Sequence, residues 1–234
     1  MTALRVISEF INSLSLRVKR RRRLSKHSLG GIVKINLGCG LAVAKNWINI
    51  DGSLNSMFAG FPSWVHPIAF KLSGARQYYS LNEYCNILAK NRFLHHDLSY
   101  NIPLHNECAD FIFSSHFLEH LFEADAEKFL KEAMRVLKPG GILRISVPDL
   151  EYAVGLYSQG KKNKMLNKYF FVDHNQPYFS RHKYMYDFEL LAELLKGVGF
   201  RKIKRCKFGE GSIPEIEVLD NRPEDSLFVE VIKK

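Results

Sequence analysis

The feature that most constrains this fold is a short β-branched run that ends in a glycine turn. Residues 32–37 read IVKINL and are followed at once by Gly38, Cys39 and Gly40. Branched side chains favour a buried strand, and glycines allow a tight turn whose backbone N–H groups approach a ligand closely. The sequence therefore predicts a buried first strand with a binding loop at its carboxyl end.

Further strand-like and helix-like segments alternate along the chain. Strands are predicted at 47–51, 93–96, 109–115, 142–147, 200–207 and 227–232. Apolar side chains recur at helical spacing over 126–137 and 190–198, and Asp187 is a suitable N-cap for the second of these helices. This alternation predicts an α/β fold with a Rossmann-like, doubly wound, mostly parallel sheet. The last two strands have no helical segment between them, which predicts an antiparallel last strand.

The charge and the length divide the chain into two parts. The 234 residues fit one α/β domain, and the formal net charge is +10. Residues 1–31 hold eight basic side chains and one acidic one, so most of the excess lies in an N-terminal extension. We expect one domain over 32–234, with inserted lid or substrate segments at 52–92 and 150–186. Both insertions follow the carboxyl ends of strands, where open α/β sheets bind ligands.

Two local predictions concern these insertions. Four aromatic residues of the first insertion, Phe58, Phe61, Trp64 and Phe70, are expected to form the core of the lid. Asp149, which follows the strand predicted at 142–147, is expected to cap a helix.

The N-terminal extension has three interpretations. Residues 3–18 carry apolar side chains at helical spacing, and residues 20–23 are four consecutive arginines. Such a helix can lie on an anionic membrane, the basic run can bind nucleic-acid phosphates, or the helix can pack on the domain. No apolar stretch is long enough to span a bilayer, and the four cysteines form no CxxC pair. We expect a cytoplasmic protein, with peripheral contact at the inner face of a membrane as one option.

Five segments in order resemble the motifs of class I S-adenosylmethionine-dependent methyltransferases. They are VKINLGCG, WINID, HHDL, DFIFSSHFLEHL and EAMRVLKPGGILRISVPDL. The resemblance is closest to the type 11-like subgroup associated with polysaccharide and other glycan biosynthesis, which has a similar SSHxLEH segment and a late HKYMYD-like stretch. It implies a seven-stranded sheet with an antiparallel last strand and S-adenosylmethionine as methyl donor. One departure is Asn36, which stands where many members have an acidic residue and can accept from the donor's ammonium without the ionic contribution.

The expected cofactor site lies at the ends of the first three strands. Asp51 ends the second strand, where a carboxylate can accept both hydroxyls of a ribose, and Asp97 at the third can hold a nucleobase amine. Val43 replaces the third glycine of the dinucleotide pattern, so we expect a nucleoside without a pyrophosphate. The residues expected to bind the cofactor are Asn36, Gly38, Cys39, Gly40, Asp51, Asp97, Leu98 and Ser115.

The segment HFLEH suggests the catalytic group. His116, Glu119 and His120 are spaced to share one face of an α-helix. Ubiquinone-biosynthesis O-methyltransferases and small-RNA 2′-O-methyltransferases have ExxEH at this point and hold a divalent metal with it, and the latter add a later histidine. Here His182 lies 62 positions after His120. We expect these four residues to be catalytic, with His116 or His182 as general base; whether they also bind a metal or Glu119 and His120 only orient the helix stays open.

The expected function is O-methylation of a sugar hydroxyl on a saccharide or glycan intermediate. The polar and aromatic segment 173–184 is expected to contact the sugar. Two alternatives remain. The chain can be a methyltransferase for RNA or another small molecule that uses the basic extension to bind its partner, or a non-enzymatic cofactor-binding protein.

Overall fold

Seven strands form one sheet in the part of the chain that the structure describes. The structure is a computed structural model and describes residues 3–20, 24, 30–170 and 181–234. The strands are β1 (Lys34–Leu37), β2 (Ile48–Asp51), β3 (Arg92–His95), β4 (Ala109–Ser115), β5 (Leu137–Pro148), β6 (Arg201–Cys206) and β7 (Ser226–Ile232). Their order is β3-β2-β1-β4-β5-β7-β6. Strands β1 to β5 pair in parallel, and β7 is antiparallel to both β5 and β6. The predicted Rossmann-like fold is confirmed.

Helices occupy most of the connections between the strands. They are α1 (Ala3–Lys19), α2 (Leu54–Ala59), α3 (His66–Leu72), α4 (Leu81–Lys90), α5 (Glu123–Val136), α6 (Leu150–Ser158), α7 (Lys162–Met165), α8 (Phe188–Val198) and α9 (Ile216–Leu219). The expectation of a helix-free connection between the last two strands is wrong, since α9 lies between them. Within the described residues, no helix combines the length and the hydropathy needed to cross a bilayer.

Local sequence signals explain where several helices begin and end. The Asp187 carboxylate accepts a hydrogen bond from Leu190 N at 2.9 Å, and α8 ends at Gly199, whose φ is 112°. The Asp149 carboxylate caps α6 by accepting from Glu151 N at 2.9 Å. Both predicted N-caps are therefore confirmed.

The main core lies between the central strands and the helices α5 and α8. Ile35, Ile112 and Leu143 are fully buried in the sheet, and Leu130 and Leu195 are fully buried on the two helices. Because β1, β2 and β4 run in parallel, their carboxyl ends come together at one edge of the sheet. The predicted site residues follow these ends.

The first insertion forms a small core of its own, but not with all four predicted aromatic residues. Phe58 and Phe70 are partly buried in a cluster that includes Tyr84. Phe61 and Trp64 are 50% and 73% exposed, so their assignment to the lid core is wrong. They lie between α2 and α3, where the chain turns at the surface.

Helix α1 packs on the domain through polar side chains. Asn12 is buried; its Nδ2 donates to Gly52 O at 3.0 Å, and its Oδ1 lies 2.8 Å from His95 Nε2. Lys19 Nζ lies 3.3 Å from His95 Nδ1. Burial first, and the Lys19 charge second, lower the pKa of His95 to about 4. His95 is therefore neutral near pH 7, and α1 is fixed against the ends of β2 and β3.

A buried ion-pair network joins β5 and β7 to the loop between β6 and β7. Arg144 is fully buried; its Nε and Nη2 donate to the two oxygens of Asp220 at 2.8 and 2.6 Å, and its Nη1 lies 3.2 Å from Glu230 Oε1. The guanidinium also donates to the carbonyls of Lys207 and Glu210. Every N–H group of the Arg144 guanidinium thus has an acceptor, and these hydrogen bonds hold the loop on the sheet.

Removal of the Arg144 guanidinium is expected to be strongly destabilising. Arg144→Met leaves Asp220 and Glu230 buried without their counter-ion, and breaking such a group costs about 3–5 kcal/mol. Chemical denaturation measures the free energy of unfolding. The matched control is Lys131→Met, which removes an exposed pair with Glu127 and should cost less than about 1 kcal/mol. Equal losses in the two variants would contradict a structural role for the buried network.

Candidate active site

The loop after β1 brings two glycines to the edge of the sheet. Gly38 and Gly40 have φ values of 67° and 52°, which glycine adopts without steric cost. A Cβ on Gly38 would overlap the ring of Phe117, whereas a Cβ on Gly40 would meet nothing within 4 Å. The loop is thus packed against the segment after β4 on one side and open to a ligand on the other.

Asp51 connects this loop to the end of β2. Its Oδ2 accepts from Gly40 N at 2.9 Å and its Oδ1 accepts from Ser53 N at 2.7 Å. Each carboxylate oxygen keeps a further lone pair. Ser53 Oγ, next to this carboxylate, is buried without a hydrogen-bond partner in the described residues. The unused acceptors of Asp51 and the hydroxyl of Ser53 fit the ribose hydroxyls of S-adenosylmethionine.

Asn36 is buried and holds the loop through its side-chain amide. Its Nδ2 donates to Ala42 O at 2.8 Å and lies 3.3 Å from Asn49 Oδ1. A carboxylate could not donate to Ala42 O, which gives a physical reason for an amide at this position. The amide nitrogen is therefore used inside the protein, and Oδ1 is the atom that can accept from the ammonium of the methyl donor.

The other expected cofactor residues differ in how close they lie to this loop. Burial raises the pKa of the Cys39 thiol well above its ordinary value, so Cys39 is a neutral packing residue. Asp97 lies beside Gly52 and accepts from Ser99 N at 2.9 Å, and Leu98 is buried. Ser115 Oγ lies 3.5 Å from Asn221 Oδ1, in contact with a different part of the chain.

The HFLEH segment does not form the α-helix that its spacing suggests. Only residues 118–120 form a turn of 3₁₀-helix, and His116 precedes it with a φ of 50°. The expected shared helix face is therefore wrong. The side chains still converge, because the turn points Glu119 between the two histidines: His116 Nδ1 lies 3.3 Å and His120 Nε2 lies 3.8 Å from Glu119 Oε1.

Backbone carbonyls fix the orientation of two histidines. His120 Nδ1 lies 3.2 Å from Arg181 O, and His182 Nδ1 lies 2.9 Å from Tyr169 O. A carbonyl only accepts, so in both rings Nδ1 carries the proton of the neutral form and Nε2 has the lone pair. The two rings lie with their centroids 5.3 Å apart. The Nε2 atoms of His120 and His182 are thus two basic nitrogens that lie close together.

Glu119 is the most unusual group of the site. It is fully buried, and neither of its carboxylate oxygens has a hydrogen-bond partner in the described residues. Burial opposes its ionisation, but His116 and His120 outweigh that effect and lower the pKa of Glu119. The site therefore holds a buried anion beside imidazole nitrogens.

Three of the four predicted catalytic residues offer ligand atoms to one point. Glu119, His120 and His182 each contribute a ligand atom, and these atoms all lie within 4.8 Å of one another. His116 contacts Glu119 but is not part of this ligand set: its Nε2 lies 3.0 Å from Ser226 Oγ, and its Nδ1 lies 3.3 Å from both Arg222 Nη1 and Glu119 Oε1. Both ring nitrogens of His116 thus have protein partners, which favours His182 as the base.

The structure adds a pair of residues that sequence reasoning missed. The Tyr169 hydroxyl donates to Asp225 Oδ2 at 2.9 Å, and Lys168 Nζ lies 2.8 Å from the same oxygen. Tyr169 is buried, and its carbonyl is the one that orients His182. No sequence signal could have found this pair, because its members lie 56 positions apart and meet only in the folded chain. Residues 173–180 of the expected sugar-contacting segment lie outside the described residues.

A family model and solved structures give independent comparisons. Residues 72–145 match the family described as "Methyltransferase domain". The match includes β3, β4, α5 and the HFLEH segment, and it leaves out the loop after β1 and His182. Curated protein sequences gave no significant match.

Solved structures of similar overall size are weakly alike. A S-adenosylmethionine-dependent methyltransferase of Thermotoga maritima is 18% identical with a TM-score of 0.47, and 98% of each chain is covered. One of Archaeoglobus fulgidus is 17% identical with a TM-score of 0.49, covering 97% of this chain and 94% of its own. Likeness at this level carries no functional argument. The methyltransferase-domain match, the strand order and the loop at Gly40 and Asp51 together support a class I S-adenosylmethionine-dependent methyltransferase.

Asp51→Asn is expected to weaken binding of S-adenosylmethionine. An amide has one acceptor oxygen where the carboxylate has two, so it cannot hold both Gly40 N and Ser53 N and also accept from the ribose. Loss of charge-assisted hydrogen bonds should reduce affinity by about tenfold to a hundredfold in calorimetric titration. Asp125→Asn, which alters an exposed carboxylate paired with Lys128, is the control. Unchanged affinity in Asp51→Asn would show that the cofactor assignment is wrong.

Proposed function

We propose that the chain transfers a methyl group to a sugar hydroxyl of a saccharide or glycan intermediate. The observation that carries this proposal is the orientation of His182. Its Nδ1 donates to the Tyr169 carbonyl, and its Nε2 is left as a base beside the buried Glu119 carboxylate. A hydroxyl is a weak nucleophile, and a neutral imidazole at this position can accept its proton.

The residues around His182 favour this role. Burial is the main cause that lowers the pKa of His182, and the Glu119 carboxylate partly opposes it. The ring is therefore neutral near pH 7. When the proton arrives on Nε2, the nearby Glu119 anion stabilises the imidazolium that forms.

The transfer itself is a displacement in which the protein supplies alignment. S-adenosylmethionine, when bound, supplies a methyl group on a positively charged sulfur. Held by the loop of Gly40 and by Asp51, it would let the acceptor oxygen bond to the methyl carbon while the electron pair of the broken carbon–sulfur bond stays on sulfur, and His182 would take the hydroxyl proton. The contact of Gly38 with Phe117 supports this alignment, because it joins the cofactor loop to the segment that holds His116 and Glu119.

A saccharide is favoured by the resemblance of the SSHFLEH segment and by the charge beside the cluster. Arg222 is exposed, and its Nη1 lies 3.3 Å from His116 Nδ1. An arginine at this place suits an acceptor that carries phosphate, such as a nucleotide sugar or a phosphate-linked glycan.

His182→Ala is expected to lower the turnover rate by about a hundredfold or more, with little change in affinity for S-adenosylmethionine, because a general base contributes to the chemical step. The assay offers labelled methyl donor to nucleotide sugars, lipid-linked glycans and RNA. Because the pKa of His182 is lowered from the ordinary histidine value of 6.5, the wild-type rate should fall only below that pH. The variant should not show this decrease of the rate at acidic pH. His105→Ala, a histidine before β4, is the control and should match the wild type.

The outcomes separate the alternatives. Label transferred only to RNA would overturn the sugar acceptor, and bound cofactor without transfer to any acceptor would favour a non-enzymatic cofactor-binding protein. Wild-type turnover in His182→Ala would show that the base is misassigned.

As an alternative arrangement of the same residues, we propose that Glu119, His120 and His182 bind a divalent metal ion, which would occupy the lone pair of His182 Nε2 and activate the acceptor hydroxyl in its place. A buried carboxylate without hydrogen bonds, next to two imidazole lone pairs, is a donor set that suits a first-row divalent ion. The carbonyls at Arg181 and Tyr169 hold both rings in the required tautomer, as outer partners do at metal sites. A bound ion would chelate a vicinal diol and lower the pKa of a hydroxyl.

Direct titration tests the metal site without an activity assay. Calorimetry with Mn²⁺ or Zn²⁺ should show one bound ion, and Glu119→Gln should weaken binding by at least about tenfold, because the anionic ligand is lost. Glu127→Gln, at an exposed carboxylate paired with Lys131, is the matched control. Absence of binding to the wild type would remove the metal and leave the methyl-transfer proposal intact.

A further inference from the structure

Helix α1 is amphipathic, but its polar side packs on the domain and most of its apolar side faces solvent, which is the reverse of an ordinary surface helix. Among its described side chains, the buried ones are the polar Ser8 and Asn12, and Asn12 contacts the ends of β2 and β3. Leu16 is half-buried close to Gly52, and the other large apolar side chains described on α1 point to solvent. We define the exposed apolar face of α1 as Ile7, Phe10, Ile11, Leu14 and Val18, all of them more than half exposed.

The spacing of these residues makes them one continuous surface. Positions 7, 11, 14 and 18 follow one another by three or four residues, and Phe10 lies beside them, so all five share one side of the helix. Burial of a large apolar side chain is favourable relative to leaving it in water. A stripe of five such residues marks an interaction surface.

Neighbouring elements extend the apolar exposure. Helix α1 packs against α2 and α3. Trp64, just before α3, and Ile68 within it are 73% and 51% exposed. Tryptophan has an apolar body with one polar N–H, which suits the boundary between lipid and water.

Basic groups lie beside the exposed apolar face. Arg17 and Arg20 are exposed and line an open cleft of about 540 Å³ together with Val18 and Tyr100. The Arg20 guanidinium lies 5.6 Å from the centre of the Tyr100 ring. In the sequence, three more arginines and Lys26 follow, and Glu9 is the sole acidic residue among residues 1–31. The cations thus begin where the apolar face ends.

We propose that the exposed apolar face of α1 docks on the surface of an anionic phospholipid bilayer. The apolar side chains enter the acyl boundary, and the arginines meet headgroup phosphates, each basic residue adding to the attraction near the surface. Nucleic acid would satisfy the arginines alone and leave five apolar side chains in water. An anionic bilayer offers contacts both to the apolar side chains and to the arginines. This inference is independent of the proposed acceptor, since it concerns binding and not methyl transfer.

Co-sedimentation with lipid vesicles tests the proposal. The full chain should bind vesicles of phosphatidylcholine with phosphatidylglycerol and bind phosphatidylcholine alone weakly. Phe10→Ser combined with Leu14→Ser should reduce binding to the anionic vesicles by about tenfold or more, because two buried apolar side chains are lost. Val218→Ser, which alters an exposed valine on α9, should bind like the wild type.

A second variant separates the two contributions. Arg17→Gln combined with Arg20→Gln keeps the apolar face and should reduce the preference for anionic lipid, while the remaining basic residues of the extension retain part of it. Circular dichroism confirms that each variant keeps its helices.

Three results would overturn the proposal. The first is equal vesicle binding by the wild type and by the variant that combines Phe10→Ser with Leu14→Ser. The second is binding of RNA without binding of vesicles. The third is a dimer, seen by light scattering, that the same variant abolishes.

Discussion

The buried network of Arg144, Asp220 and Glu230 holds in place the loop beside the candidate active site. The Arg144 guanidinium on β5 fixes the loop that leads from β6 to β7. In this loop Asn221 follows Asp220, and its Oδ1 lies close to Ser115 Oγ. Arg222, one position further, contacts His116. A charge network inside the sheet therefore fixes the loop that borders the candidate site, although none of its three members belongs to that site.

Glu119 shows the opposite situation. Asp220 and Glu119 are both buried acids, but Asp220 accepts hydrogen bonds from Arg144 and from Gly209 N, whereas the Glu119 oxygens accept none among the described residues. A buried carboxylate that accepts no hydrogen bond costs free energy, even beside the imidazoles of His116 and His120. The comparison separates an acid whose oxygens are used within the fold from one whose oxygens remain without hydrogen bonds in the described residues.

Much of the fold follows from local sequence signals, and the site follows only in part. The IVKINL run, the acid at position 51 and the N-cap Asp187 each depend on neighbours in sequence, so the strands, the loop and α8 could be predicted. The spacing of HFLEH picked out side chains that converge in the structure but predicted the wrong local structure, since distant residues hold the turn: the Glu119 carbonyl accepts from Lys183 N and Tyr184 N, and His120 Nδ1 lies 3.2 Å from Arg181 O. Likewise, periodicity finds the apolar stripe of α1 but cannot tell which face packs. That choice depends on Asn12 meeting His95, a contact between residues 83 positions apart.

The backbone of His116 has a consequence of another kind. A side chain other than glycine in the left-handed region at φ 50° costs about 1–3 kcal/mol, and glycine would carry almost none of this cost. Glycine would relax the backbone here but would also remove the ring that contacts Ser226, Arg222 and Glu119. The stability of this turn therefore balances backbone strain at one residue against three side-chain contacts, and any substitution at position 116 changes both.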